Sequence, residues 1–283
     1  MKFTNKHGLP DPVVRALTSY EKDEKVEGLR VTTLIDSPRI SQLRRTHAAD
    51  ITEDVSDMVW KVMGTAIHEV FERAASNAYV SEERLSHTVD GTVISGAIDY
   101  QFESDGEIDL KDYKSTSVFS IIMGDKPEWE KQINTYAYLI RHAKGLKVRS
   151  ASVVAVLRDW RKSDAERRSD YPVSPITEVK IRLWPDDEQD AFVKERVRLH
   201  RVAELEKDFG LPPCTPEEQW AKPAKWAVHK GKTKRALKLF DTENEAQVFA
   251  GQSEDRSVVE RPATLTRCEN NYCRVADFCD QWR

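Results

Sequence analysis

Between residues 92 and 114 the side chains alternate in a way that a β-hairpin buries on one face. Thr92–Phe102 reads as a strand, Ser104-Asp105-Gly106 is a turn signal, and Ile108–Lys114 reads as the returning strand. Side chains alternate along a strand, so Ile108, Leu110, Asp112 and Lys114 share one face, while Asp109, Lys111 and Tyr113 share the other. The first face is apolar and then ends in a carboxylate and an ammonium, which is how a core strand ends in a polar site. Two acid-x-Lys pairs overlap here, Asp109/Lys111 and Asp112/Lys114, and the face argument selects the second. Taken alone, such a pair reads equally well as a surface ion pair.

The rest of the chain supplies the elements of an α/β fold. Val59, Met63, Ile67, Val70, Phe71 and Ala74 recur at helical spacing and predict a helix from Val59 to about Ala75. Ser37-Pro38 predicts another helix start, and the helix after it carries Arg39, Arg44 and Arg45, read as a solvated face or a phosphate-contacting one. Leu29–Ile35 reads as a short β run. Helices are expected over Trp129–Arg141, from Pro185 through the acidic run Asp186, Asp187 and Glu188 to about Phe209, and over Glu243–Ala250. Strands are expected over Ala151–Leu157 and Glu178–Trp184. Hydrophobic residues make up 39% of the 283, enough for one large domain or two modest ones. With a net charge of −4, that excludes a disordered chain and a uniformly basic nucleic-acid coat. No apolar run approaches ~18 residues, so no membrane span is expected. No apolar leader-like stretch follows the opening Met-Lys, so the expected location is the cytoplasm, that of a host if the chain is phage-encoded.

Three features accompany the Asp112 strand. Gly96-Ala97-Ile98-Asp99 sets a carboxylate across the hairpin, although Asp99 alone reads as a strand cap. Gly64 and His68 share a face of the Val59 helix, where a glycine permits close approach of another element. His68 alone reads as a core histidine. Gln132 and Tyr136 share a face of the next helix beside Trp129, and the two aromatics alone read as core. Together G-x3-H, G-x-x-D, D-Y-K and Q-x3-Y fall in order within 73 residues. This set resembles the RecB-type branch of the PD-(D/E)xK nuclease superfamily, over residues from about 59 to 184. The resemblance implies a restriction-endonuclease-like core, with a central mixed β-sheet flanked by helices.

The residue types suit phosphodiester hydrolysis. Carboxylates hold Mg²⁺ or Mn²⁺, and an imidazole tilts a site toward Mn²⁺. The resemblance implies Asp99 and Asp112 as carboxylate ligands, His68 as a nitrogen ligand and the backbone carbonyl of Tyr113 as a further one. It implies that Lys114 positions or deprotonates the attacking water, or stabilises the pentavalent phosphate. Gln132 and Tyr136 would orient the substrate strand.

All four cysteines, Cys214, Cys268, Cys273 and Cys279, lie beyond residue 213. In a reducing compartment, three thiols within twelve residues read first as metal ligands, and four suit a 4Fe–4S cluster or a tetrahedral zinc. The arrangement resembles the C-terminal cysteine module of AddB-type and CRISPR-associated adaptation exonucleases, which implies a 4Fe–4S cluster that staples the tail to the core. In those relatives the lone cysteine precedes the nuclease motifs, whereas Cys214 follows them. Zinc and four buried free thiols therefore stand as alternatives. Between Cys214 and the triplet, Lys225–Lys238 is basic and holds no acid. It reads as two short strands around Lys230-Gly231-Lys232. That is either an exposed hairpin or a phosphate-tracking wall in which Lys230, Lys232, Lys234 and Arg235 meet DNA and Trp226 stacks on bases.

The expected organisation is an N-terminal segment with a basic helix (1–58), a nuclease core (59–209) and a cysteine-bound basic subdomain packed on the core (210–283). The expected activity is that of a metal-dependent DNA nuclease. The Q-x3-Y motif and the cysteine module favour an exonuclease on DNA ends or single strands in replication, recombination or repair, similar to stand-alone phage nucleases. The expected partner is DNA, with a recombinase or helicase as a second candidate. The alternatives are a catalytically idle nuclease fold that serves as a DNA-binding or assembly subunit, and a sequence-specific endonuclease.

Overall fold

The alternation around Leu110 does fold as a hairpin, and helices from both sides of it in sequence cover its apolar face. The computed structural model describes residues 1–19, 28–74, 76, 78–124, 126–206, 210–270 and 272–283. The first elements are β1 (Lys2–Thr4), α1 (Asp11–Ser19), β2 (Leu29–Arg30), α2 (Val31–Leu34), α3 (Pro38–Thr46) and β3 (Thr52–Asp54). Then come α4 (Val59–Arg73), β4 (Glu83–Val89), β5 (Thr92–Ile98), β6 (Tyr100–Ser104), β7 (Glu107–Thr116), α5 (Val118–Ile122) and α6 (Pro127–Lys144). They are followed by β8 (Lys147–Leu157), α7 (Lys162–Ala165), β9 (Ile176–Lys180) and α8 (Asp186–Glu206). The tail holds β10 (Ala221–Lys222), β11 (Lys225–Lys230), β12 (Lys238–Phe240), α9 (Glu243–Ala250), β13 (Arg256–Arg261), β14 (Thr264–Leu265) and α10 (Thr266–Glu269).

The central sheet has the order β6-β7-β8-β9 and is mixed: β7 and β8 run parallel across the α5–α6 crossover, and the other two pairs are antiparallel. A second sheet has the order β2-β5-β4. Ile94, Ile98, Ile108 and Leu110 of the strands meet Ile133 and Leu139 of α6 and Val193 and Val197 of α8 in one core. Helix α6 is buried all round from Gln132 to Ile140, because it packs against strands of both sheets and against α8. Its ends follow local chemistry: Pro127 with Glu128 and Glu130 in the first turn, Arg141, His142 and Lys144 in the last, and Gly145 left-handed at φ 70°.

The fold departs from the sequence reading at several places. The expected Thr92–Phe102 strand is two strands. Ile98 of β5 pairs with Glu83 of β4, whereas Tyr100 of β6 pairs with Lys111 of β7. One strand cannot continue its ladder from one sheet into another without a bend, and the bend falls at Asp99. The expected Glu178–Trp184 strand is Ile176–Lys180. Beyond it the amide of Asn134 replaces the ladder, donating to the carbonyl of Arg182 at 2.9 Å and accepting from the Trp184 N–H at 2.7 Å. Only Leu29–Arg30 of the expected β run is strand. Val31 and Leu34, three residues apart, turn onto one helical face and into the core. Strands β4 and β13 carried no sequence expectation. Helix α4 forms as expected, yet none of its side chains is fully buried. The expected helix ends at Ala75 and Phe209 lie outside the described residues.

Helix α3 keeps Arg44 and Arg45 on an exposed face, as the solvated reading expects, but buries Arg39. Ser37 caps it, and Arg39 is buried, donating to the carbonyls of Leu211 at 2.6 Å and Pro212 at 3.2 Å and pairing with Asp280. Arg45 pairs with Glu204 at 3.2 Å, and Arg44 stands 3.9 Å from Asp36. Arg45 thus links α3 to α8, and Arg39 links it to the C-terminal tail. Among the described residues, no helix is long and apolar enough to cross a membrane.

Buried His200 on α8 shapes the pH dependence of stability. Its Nε2 lies 3.2 Å from the Leu34 carbonyl, while Nδ1 is buried without a hydrogen-bond partner. Burial, reinforced by the charge of Arg196, lowers its pKa to about 4. The unfolded chain therefore takes up the proton first, and stability falls as pH drops through the window from about 6.5 to 4. We expect the parent to lose ~2 kcal/mol of stability to this group between pH 7 and 5. Denaturant titrations at the two pH values would read it, with the loss absent in His200→Asn.

Candidate active site

Five elements converge on one end of β7. Ile108, Leu110 and Asp112 form its buried face, as the alternation requires, and Asp112 itself is 2% exposed. The Lys114 amine lies 2.6 Å from Asp112 Oδ2. Gln132 of α6 donates to Asp112 Oδ1 at 3.0 Å and to the Tyr136 hydroxyl at 2.9 Å. Gln132 and Tyr136 are both buried, so here they hold Asp112. Asp99, at the bend between the sheets, accepts the Tyr113 N–H at 2.6 Å. The N–H and C=O of one strand residue face the same edge, so the Tyr113 carbonyl also faces the Asp99 side, beyond the last β6 partner at Lys111.

Helix α4 brings His68 to this edge. Its Nδ1 stands 3.3 Å from Asp99 Oδ1 and 3.5 Å from Glu82 Oε1. His68, Glu82 and Asp99 each offer a ligand atom within 4.8 Å of the others, a spacing that suits one divalent cation. The hydrogen bond to Asp99, then that to Glu82, raises the His68 pKa to about 10. Burial raises the Asp112 carboxyl above the ordinary carboxylate range, with Lys114 opposing. The chemistry of this donor set, two acids and an imidazole beside a buried carboxylate with its lysine, fits a hard divalent metal.

Sequence reasoning missed Glu82. It belongs to no motif and precedes a strand that was not expected; its only local signal is a second acid, Glu83, beside it. The close approach expected at Gly64 is found elsewhere: a Cβ at Gly64 would meet open space, whereas one at Gly96 would stand 2.5 Å from Tyr136 Cε1. We expect Gly96→Ala to cost ~1–3 kcal/mol in thermal melting, because the ring must shift, and to lower activity by moving Gln132 off Asp112. A melting temperature equal to the parent's would contradict that packing.

The thiols also gather. Cys214, Cys273 and Cys279 pack in one cluster with Ile40, Leu43 and Leu211, and Cys268 is close enough to feel charge on Cys273 and Cys279. Ser37 Oγ lies 3.1 Å from Cys214 Sγ, and Arg39 reaches to 4.0 Å from Cys279 Sγ. Burial pushes the Cys214 thiol up to about 11 and raises those of Cys268 and Cys273.

The basic segment lies apart from both clusters, in a three-stranded sheet of order β12-β11-β13 under α9. Although acid-free in sequence, it meets acids in space: Lys225 pairs with Asp241, and Lys230 lies 3.6 Å from Asp255. Lys230, Lys232, Lys234 and Arg235 are exposed, while Trp226 packs against the small core under α9.

No protein-family model matches the chain, and no curated protein matches it in sequence. Among solved structures it is similar to SSO0001, at 15% identity over 66% of this chain and 84% of that one, with a TM-score of 0.46. It is similar to an alkaline exonuclease (LHK-Exo) from Laribacter hongkongensis, at 15% identity over 63% and 88% of the two chains, with a TM-score of 0.34. A phage related exonuclease from Haemophilus somnus 129PT is 16% identical over 70% and 86%, with a TM-score of 0.30.

Proposed function

We propose that the protein is a metal-dependent DNA nuclease, an exonuclease that acts on DNA ends or single strands in replication, recombination or repair. The observation that carries this reading is the buried Asp112 with Lys114 2.6 Å away, facing the His68–Glu82–Asp99 group. Binding alone calls for no buried acid with a lysine beside it. A Mg²⁺ or Mn²⁺ held by His68, Asp99, Asp112 and the Tyr113 carbonyl, with Glu82 added, would supply charge neutralisation on the phosphate oxygens. Lys114, partly exposed at the mouth, orients the attacking water or meets the developing negative charge. Gln132 and Tyr136 keep Asp112 in place.

The test is incubation of anaerobically purified protein with end-labelled single-stranded, duplex and circular DNA in Mn²⁺, Mg²⁺ or EDTA. We expect linear DNA to be shortened in a metal-dependent ladder while circles survive. Absence of cutting with every metal, with DNA binding intact, would overturn the reading in favour of a binding subunit. Cut circles would make it an endonuclease.

The four cysteines, on the same reading, hold a 4Fe–4S cluster, with zinc as the alternative. Cys214, Cys273 and Cys279 share one cluster beside Arg39, and thiols raised by burial need a cation beside them to ionise. The exposed Lys230, Lys232, Lys234 and Arg235 serve as a phosphate-tracking wall. Neutralising all four should flatten the slope of log K against log[salt] for single-stranded DNA by ~3. An unchanged slope would remove the wall.

A further inference from the structure

A cleft of about 400 Å³ opens between the candidate active site and the cysteine tail. Lys114 and Gln132 of the candidate site line it together with Trp220 and Arg267. Its size is that of a pocket for one small organic group. Trp220 is 45% exposed although it is among the largest apolar side chains. The Arg267 guanidinium stacks over its ring at 5.4 Å, and the ring of Tyr272 lies 5.4 Å away.

The backbone singles out the same residue. Among the described residues, four non-glycines have positive φ: Glu82, Asp90, Asp105 and Trp220. Asp90 and Asp105 each precede a glycine in a hairpin turn, where that conformation is ordinary. Glu82 belongs to the group around His68. Trp220, at φ 51°, ends the Pro216–Gln219 turn in the left-handed position, with the Ala221 N–H donating to the Pro216 carbonyl at 2.9 Å, a place seldom given to so bulky a residue. One local bond and three from Arg267 hold this turn. Trp220 N–H donates to the Glu217 carbonyl at 2.9 Å, and Arg267 donates to the Glu218 carbonyl at 3.0 Å and to both carboxylate oxygens of Asp36 at 2.9 and 3.1 Å. Arg267 directly precedes Cys268, and its carbonyl accepts the Cys273 N–H at 2.9 Å. The cysteine tail therefore anchors the tryptophan beside the reaction site.

Charge identifies the occupant. Lys131 pairs with Glu217 and Arg267 with Asp36, while Glu128 adds a further carboxylate to the lining. A phosphate chain would meet these acids without a surplus of cations. A neutral aromatic ring would gain a stacking face, and carboxylates would be at hand to accept from its amines. We propose that this cleft is a nucleobase pocket, in which Trp220 stacks on a base of a single-stranded DNA end whose phosphate sits at Asp99, Asp112 and Lys114. The proposal rests on the nuclease reading above, which it makes specific for an unpaired end.

The experiment places 2-aminopurine at the 3′ or the 5′ terminus of a single-stranded oligonucleotide. It is bound to Asp112→Asn, which keeps the strand uncut. We expect quenching of one terminal probe on binding. In Asp112→Asn/Trp220→Ala the quench disappears and Kd rises ~tenfold, and Trp220→Phe in place of Trp220→Ala restores both. Rescue by phenylalanine separates stacking from a loss of fold. Probes that stay bright at both ends, or quenching that persists without Trp220, overturn the pocket. The two readings fail separately: a parent protein that cuts DNA while the probe stays bright removes the pocket alone, and one that quenches the probe but never cuts with any metal removes the reaction alone.

Discussion

Asp112→Asn and Lys114→Ala are each expected to lower kcat for metal-dependent DNA cutting by ~10³-fold or more, with the fold intact. Asp112 is the one carboxylate of the site that reaches Gln132, Lys114 and, through its field, both Asp99 and His68. Its stability effect has the opposite sign to its effect on activity. A carboxyl raised by burial binds its proton more tightly in the folded chain than in the unfolded one. Ionising it therefore opposes folding above the unfolded pKa, and that opposition fades as pH falls through the folded value. Asparagine removes the opposition, so at neutral pH the metal-free Asp112→Asn protein should melt at or above the parent temperature while its activity is lost. Activity retained at the parent level would remove Asp112 from the chemistry. Activity lost together with a lower melting temperature would make its role structural.

Cys273→Ser is expected to abolish the absorbance near ~400 nm and to lower the melting temperature by ~10 °C or more. Serine nearly preserves the volume of the thiol, so a loss of this size reports coordination rather than packing. The reason for a large effect lies in what the cluster joins. Cys273 and Cys279 pack with Ile40, Leu43 and Ile51 near the start of the chain, with Ala203 of α8 and with Leu211. Releasing the thiols loosens a small core that three segments of the chain share. A colourless parent that contains zinc and shows the same drop would select the zinc alternative. A variant that melts and cuts DNA like the parent would refute a structural role for the cysteines.

Much of the site could be read from residues a few positions apart. Alternation put Asp112 and Lys114 on one face of β7, helical spacing put Gln132 beside Tyr136, and Asp-Gly placed the turn between β6 and β7. The close approach that a glycine permits falls at Gly96, where the Tyr136 ring presses, and not at Gly64. Spacing along a helix says which residues share a face but not what meets that face, and only the packing of α6 on β5 puts the Tyr136 ring there.

The sequence by itself determined the central hairpin, the shared helix face of Gln132 and Tyr136 and the Asp112–Lys114 pair, because each depends on dihedral preferences and periodicity within one short segment. Only the tertiary structure decided the sheet change at Asp99, the presence of Glu82 beside His68 and the burial of Arg39 against the C-terminal tail. It also decided the pairing of Lys230 with Asp255 and the meeting of Cys214 with Cys273 and Cys279. Those outcomes set residues from separate segments against one another, and which segments meet is settled by burying the most apolar surface of the whole chain at once.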